Sequence, residues 1–388
     1  MERQERILLS ILKQAVTNEQ DDDLMSVSEV FECAERHKVL PLLYDVLDGK
    51  VSEEEQRILD GETQKTIAQF WRLFHFTKRA CDVLENAGIS VAVLKGISAA
   101  LSYPVMEYRK SGDIDLLIRA EDADRAELAL RQIGYNRSVS QHSLHHVEYR
   151  GPDGFEIEVH TLFAEPFDNA EANQKLKQLS EEALNHIEKT EIEGTVFPLL
   201  EAPWLAFSLA MHMLQHYLRA GFGLKLLTDW TVFWNKHTDE SLKQEYLALM
   251  NDLKVDGFSD LVSSACVEFL GLHDSSMPGN RFERNLCEEF LDEVLAGGEF
   301  GHDQNDRMVA LRKNSFPEYV REFHHQMCLN YPNLSPYIPL WPGLWTATLI
   351  RFLHNNRTIR HVSAFSIMKE AGRRGTLNEK IHLFELQK

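Results

Sequence analysis

Arg109-Lys110-Ser111-Gly112-Asp113-Ile114-Asp115-Leu116-Leu117-Ile118 is the stretch whose reading decides the fold. From Asp113 onward it is apolar except for the two aspartates, which reads as a strand. Side chains on a strand alternate between faces, so Asp113 and Asp115 share one side, while Ile114 and Leu116 point to the other, into a core. Two carboxylates fixed on one rigid face need a cation, a shared proton or open water. Taken alone, such a pair is more often an exposed edge or turn than a site.

The flanking sequence turns the pair into a site. Downstream, two more strands are expected around His145–Arg150 and Phe155–His160, separated by the hairpin turn Gly151-Pro152-Asp153-Gly154. Alternation along the second of them puts Glu156, Glu158 and His160 on one face. Either glutamate would give a third carboxylate on a neighbouring strand, enough for a two-metal site. Magnesium suits such oxygen donors, with manganese as an alternative. Upstream, Val91–Leu94 reads as a short buried strand running into Lys95-Gly96-Ile97-Ser98, where a helix begins. Glycine there lets the backbone approach a phosphate, and Lys95 and Arg109 bring positive charge. Glu121–Gln132 reads as a helix closed by Gly134.

This order of features resembles the polymerase-β nucleotidyltransferase superfamily, and within it an uncharacterised bacterial branch. The resemblance is carried by Leu94-Lys95-Gly96, by Arg109–Leu117 and by Glu158-Val159-His160. It implies Asp113, Asp115 and Glu158 as catalytic metal ligands, with Glu158 rather than Glu156 as the third carboxylate. It also implies Lys95, Gly96, Ser98, Arg109, Ser111 and Gly112 as the nucleotide-binding set. The sequence departs from the superfamily where Ile97 separates Gly96 from Ser98, and in the long spacing from Gly96 to Asp113.

The expected fold class is α+β: a small mixed sheet with flanking helices between two helical regions, bounded at 1–88, 89–200 and 201–388. The N-terminal region shows helical periodicity, with Phe70, Leu73, Phe74 and Phe76 making one aromatic-rich side over residues 53–87. In the C-terminal region, expected to bind the acceptor, His212 and His216 stand one turn apart on a helix face. With His160, Lys225 and Asp229 they are candidates for lining an acceptor cleft. Tyr331–Trp345, with four prolines and four aromatics, reads first as an ordered connector packed on the helices, with an interfacial or partner-binding segment as the alternative.

Composition narrows the partners. Asp and Glu outnumber Lys and Arg by 60 to 41, giving a formal charge of −19, which argues against an extended nucleic-acid partner. The five cysteines have no paired spacing and read as free thiols in a reducing compartment. No apolar run is long enough to span a membrane, so a cytoplasmic location is expected. The expected function is transfer of a nucleoside monophosphate from an NTP to a small-molecule, peptide or protein acceptor. The alternative is a regulatory nucleotide-binding protein on the same fold, such as one half of a toxin–antitoxin pair. A metal-dependent phosphohydrolase using His142, His145 and His146 is disfavoured because the histidine run lacks a His-Asp pair.

Overall fold

The computed structural model describes residues 1–17, 30–138, 145–167, 170–219, 221–297, 311, 313–358 and 364–383. The chain opens with α1 (Arg3–Thr17), α2 (Phe31–Arg36), α3 (Tyr44–Leu47) and the long α4 (Glu53–Asn86). Its middle holds β1 (Val91–Val93), α5 (Ile97–Ala100), β2 (Asp113–Ile118), α6 (Ala123–Gln132), β3 (Asn136–Arg137), β4 (His146–Arg150) and β5 (Glu156–His160). It continues with α7 (Ala170–Ala183), β6 (Ile187–Ile192) and β7 (Thr195–Leu200). The remainder is helical: α8 (Ala202–Arg219), α9 (Leu224–Lys236), α10 (Glu240–Leu253), α11 (Asp256–Phe269), α12 (Arg284–Gly297), α13 (Phe316–Asn330), α14 (Trp341–Thr358) and α15 (Ala364–Lys380).

The fold is α+β as expected. Seven strands form one mixed sheet in the order β3-β4-β5-β2-β1-β7-β6. β2 runs parallel to β5, and β1 parallel to β7, while the other pairs are antiparallel. The hairpin β6–β7 is absent from the sequence expectation. Its signal is weak because β6 is an edge strand carrying Glu188, Lys189 and Glu191, and because Pro198 interrupts β7. The turn that makes it is Glu193-Gly194, both at positive φ, which suits a tight hairpin.

One face of the sheet packs on α4 and α6. The long helix starts with a capping box in which Ser52 and Glu55 each satisfy the other's backbone N–H. It buries Phe70, Leu73 and Phe74 against Val93, Ile114, Leu116, Ile157 and Val159. The opposite face carries Ala92, Leu94 and Leu117 into a second core shared with α1, α8, α9, α10, α11 and α12. Strand alternation therefore sends Asp113 and Asp115 toward the helical layer of α8 and α9. The β4–β5 turn is tailored to its glycines: a side chain at Gly151 would strike the Tyr135 ring at 2.6 Å, and Gly154 sits at φ +83°. Tyr331–Trp345 resolves into a connector with a short turn at Ile338–Leu340 and then the start of α14. His324 of α13 lies against Trp341 and accepts a bond from Trp345 Nε1 at 3.2 Å.

Candidate active site

Pairing register assembles the acidic face. Asp115 lies directly beside Glu158 on adjacent parallel strands, Asp113 beside Glu156, and Leu117 beside His160. His160 Nε2 bridges the two inner carboxylates, 3.1 Å from Asp115 Oδ1 and 3.2 Å from Glu158 Oε2. At the end of β1, Leu94 N–H donates to the Asp115 carbonyl at 3.0 Å, which brings the next residue alongside. Lys95 Nζ consequently sits 2.7 Å from Asp115 Oδ1, and 3.2 Å from His212 Nδ1 on α8. Glu156 is turned outward to Arg150, 3.0 Å away.

Three carboxylates (Asp113, Asp115 and Glu158) crowd the Lys95 ammonium, with the His160 imidazole between two of them and Lys225 acting on Asp113 from α9. The like charge of Asp115, followed by burial, pushes the Asp113 carboxyl up to about 6, against the pull of Lys95. Burial would lower the Lys95 ammonium, but Asp115, Asp113 and Glu158 outweigh it and hold it above its ordinary value. Glu158 is held far below the usual carboxylate range, because its bond to His160 and the charge of Lys95 overcome burial. His160 is raised, as Asp115 and Glu158 outweigh its own burial. Burial and the nearby Lys95 keep His212 well below its ordinary value, so its Nδ1 offers a lone pair to the lysine.

The donor set fits a hard divalent cation. Asp115 Oδ2 is buried with no hydrogen-bond partner among the described residues, and a buried orphan carboxylate oxygen calls for an explanation. Asp115, Glu158 and His160 each offer a ligand atom, all within 4.8 Å of one another. Asp113 stands outside that tight set, one pleat nearer the open end of β2.

A second cluster holds the loop that feeds the site. Arg109 is 4% exposed and Asp229 2% exposed. The guanidinium donates from Nε to Asp229 Oδ1 and from Nη2 to Oδ2, both at 2.7 Å. Tyr103 Oη donates to the same carboxylate at 2.6 Å. Arg109 Nη1 reaches the Gly96 carbonyl at 3.4 Å and the Ser111 hydroxyl. Arg109 and Asp229, expected at the triphosphate and at the acceptor, thus meet each other and tie the Gly96 turn to α9. Gly96 itself has φ +65° and ψ −107°, a backbone state reserved for glycine. The helix after it is a single turn, and Ser98 is buried with its hydroxyl donating to the Lys95 carbonyl at 3.2 Å. Gly112 is exposed beside the start of β2. Between α4 and this turn lies a small recess, whose polar side is Lys95, Gly96, Ser111, Asp113 and Asp115.

Other expected residues surround this centre. His212 and His216 stack edge to face on α8 at 4.4 Å. Lys225, at the start of α9, is close enough to pull the Asp113 carboxyl downward. Sequence reasoning missed Tyr103 and Gln69, whose side-chain amide donates to the Ser111 carbonyl. It also left His145 and His146 without a place at the site. Both pack beside His160, with ring centroids 5.4 and 5.0 Å from it. Burial lowers both, His145 to about 4. His142, the third histidine of that run, lies outside the described residues.

The family model described as uncharacterised nucleotidyltransferase matches residues 24–271, well over half of the chain. The chain belongs to this nucleotidyltransferase family. The match spans β1 to β7 and continues through α8, α9, α10 and α11, so both sides of the acidic face lie within it. Among solved structures, this nucleotidyltransferase is similar to the antibiotic-resistance factor ANT(2'')-Ia, at 14% identity and TM-score 0.32 over 47% of this chain and 92% of that one. It is also similar to an antigenic nucleotidyltransferase-like protein from Paracoccidioides brasiliensis, at 18% identity and TM-score 0.31 over the same shares. No curated protein matches it. No helix among the described residues is long and apolar enough to cross a membrane.

Proposed function

We propose that the protein is a magnesium-dependent enzyme that moves a nucleoside monophosphate from an NTP to an acceptor hydroxyl, amine or phosphate. The observation that carries this reading is the register of β2 against β5, with Asp115 and Glu158 side by side around an unpartnered carboxylate oxygen. Asp113, Asp115 and Glu158 would hold the cations. When bound, those cations supply Lewis-acid polarisation of the reacting phosphate and of the attacking oxygen.

The chain's own groups supply the rest. Lys95 limits the repulsion among the inner carboxylates before a cation arrives. Gly96, Ser111 and Gly112 form the wall against which the triphosphate lies, and Arg109 and Asp229 hold that wall in place from behind. His212, His216 and Lys225, on α8 and α9, face the acidic sheet from the side where an acceptor would enter. A formal charge of −19 favours a small-molecule, peptide or protein acceptor over a long nucleic acid.

Incubation with magnesium and α-labelled NTPs tests the reading. Label should appear on the protein or on an added acceptor with release of pyrophosphate, and Asp113→Ala should abolish both. Transfer that survives Asp113→Ala would remove Asp113 from the mechanism. Tight NTP binding without any transfer would favour a regulatory nucleotide-binding role, including that of a toxin–antitoxin component.

A further inference from the structure

Behind the carboxylates, on the β4 side, the sheet gathers three imidazoles. His145 precedes β4, His146 opens it, and His160 ends β5, paired in register with His146. His145 Nε2 and His146 Nδ1 are 3.0 Å apart, and ligand nitrogens from all three rings lie within 4.8 Å of one another. None of the oxygen-donor chemistry above explains this grouping.

The surroundings orient His145 as a ligand would be oriented. Glu165 N–H donates to Gln215 Oε1 at 3.1 Å, which fixes the amide so that its NH2 faces His145 Nε2 at 3.0 Å. A donor on that side places the lone pair on Nε2 and the proton on Nδ1, and a metal ion held by the trio would take the place of the Gln215 amide at Nε2. Glu165 Oε1 stands 3.6 Å from Nδ1. A carboxylate behind the protonated nitrogen of a histidine is the arrangement that tunes metal-binding imidazoles. The third ring supplies an independent sign. His160 is 5% exposed, its Nε2 is committed to Asp115 and Glu158, and its buried Nδ1 has no hydrogen-bond partner among the described residues.

We propose that His145, His146 and His160, with Glu165 behind His145, form a binding site for a transition-metal ion of the zinc class, separate from the magnesium carboxylates. Imidazole donors select zinc, cobalt or nickel over magnesium, which prefers oxygen. At zinc–nitrogen lengths of about 2.1 Å, tetrahedral neighbours are about 3.4 Å apart. The proposal goes beyond nucleotidyl transfer and does not need it.

Titrating the full chain with Co2+ tests it by the ion's visible absorption bands. With millimolar Mg2+ present throughout to occupy the carboxylates, we expect saturation at one Co2+ per chain and displacement by equimolar Zn2+. His145→Ala should weaken binding at least tenfold, and Glu165→Gln about 10–100-fold. Asp113→Asn should leave binding unchanged. X-ray absorption of the Zn2+-loaded wild type should show the multiple scattering of three imidazoles, a readout that needs no variant to fold. The proposal is overturned if wild type binds no Co2+ at micromolar concentration. It is overturned equally if the Zn2+ shell is mainly oxygen, if His145→Ala binds as wild type does, or if Asp113→Asn abolishes binding.

Discussion

Replacing Asp229 by Asn tests the clamp behind the glycine turn, since the new side chain keeps the shape and removes the charge. Arg109 would then remain as a cation 4% exposed, having lost the carboxylate that two of its nitrogens bond at 2.7 Å. Breaking a buried ion pair from one side costs about 3–5 kcal/mol, because the surviving charge cannot reach water. Domains are stable by only about 5–15 kcal/mol, so the variant should still fold, with its urea midpoint well below that of wild type. The loss should change little with salt, because screening acts weakly on buried charges. The double variant Arg109→Met with Asp229→Leu removes both charges and should recover most of the stability. The recovery separates two roles. If the pair only holds the fold together, the double variant regains NTP binding as well as its midpoint. If it positions the Gly96 turn, the midpoint returns while NTP binding, followed by calorimetry with magnesium, stays weak. A loss under about 1 kcal/mol in Asp229→Asn would mean that Arg109 finds water or another partner, and the clamp reasoning would fall.

Gly96→Ala meets no nearby atom closer than 3.9 Å, so its cost is backbone strain of about 1–3 kcal/mol, together with weakened NTP binding. Gly154→Ala, strained at φ +83° but remote from the site, should lose similar stability and keep NTP binding; equal NTP affinity in both variants would detach Gly96 from the nucleotide. Lys95→Met leaves the carboxylates without their ammonium, so its melting temperature in EDTA should fall and Mg2+ should raise it further than in wild type. An unchanged Mg2+ response would mean that the lysine does not stand in for a cation. His37 is fully buried and lowered to about 4, chiefly by burial. Below its ordinary value the unfolded chain binds a proton that the native one refuses, so the contribution is intact above about pH 6.5 and lost as pH falls toward 4. His37→Gln should therefore lose about 2 kcal/mol less than wild type between pH 8 and pH 5 in urea titrations; parallel losses would contradict the assignment.

What the sequence made legible was periodic or local. Asp113, Asp115, Glu158 and His160 share a face because strands alternate, and the GPDG turn announces its hairpin through glycines that only that turn needs. The parallel pairing of β2 with β5 was not legible, since register between strands that are not neighbours in the chain depends on how the whole sheet closes. Likewise, Arg109 and Asp229 read as two separate polar residues 120 positions apart. Nothing local marks them as partners, and only packing of α9 against the Gly96 turn makes them so. Tyr103 gave no sign, because a tyrosine that donates inward looks like any core aromatic. The strand β7 is hidden by Pro198, although its partner β1 is plain in the apolar run Val91–Val93.

The placement of the acidic face follows from the two cores. Ile114, Leu116, Ile157 and Val159 bind the sheet to α4, and that packing fixes which side the carboxylates must take. On that side Leu94 and Leu117 belong to the core of α8 and α9, so the carboxylates cannot simply open to bulk water along the strand. They are held where the apolar contact ends, facing His212 and Lys225. Repulsion among them, visible in the raised Asp113 carboxyl, is tolerated because two independent cores hold the backbone on either side. A cation entering there relieves that repulsion, whereas a cation at an exposed edge pair would gain far less, because water already screens such a pair. The same two residues, Asp113 and Asp115, placed on an outer strand such as β6 would therefore be ordinary surface acids.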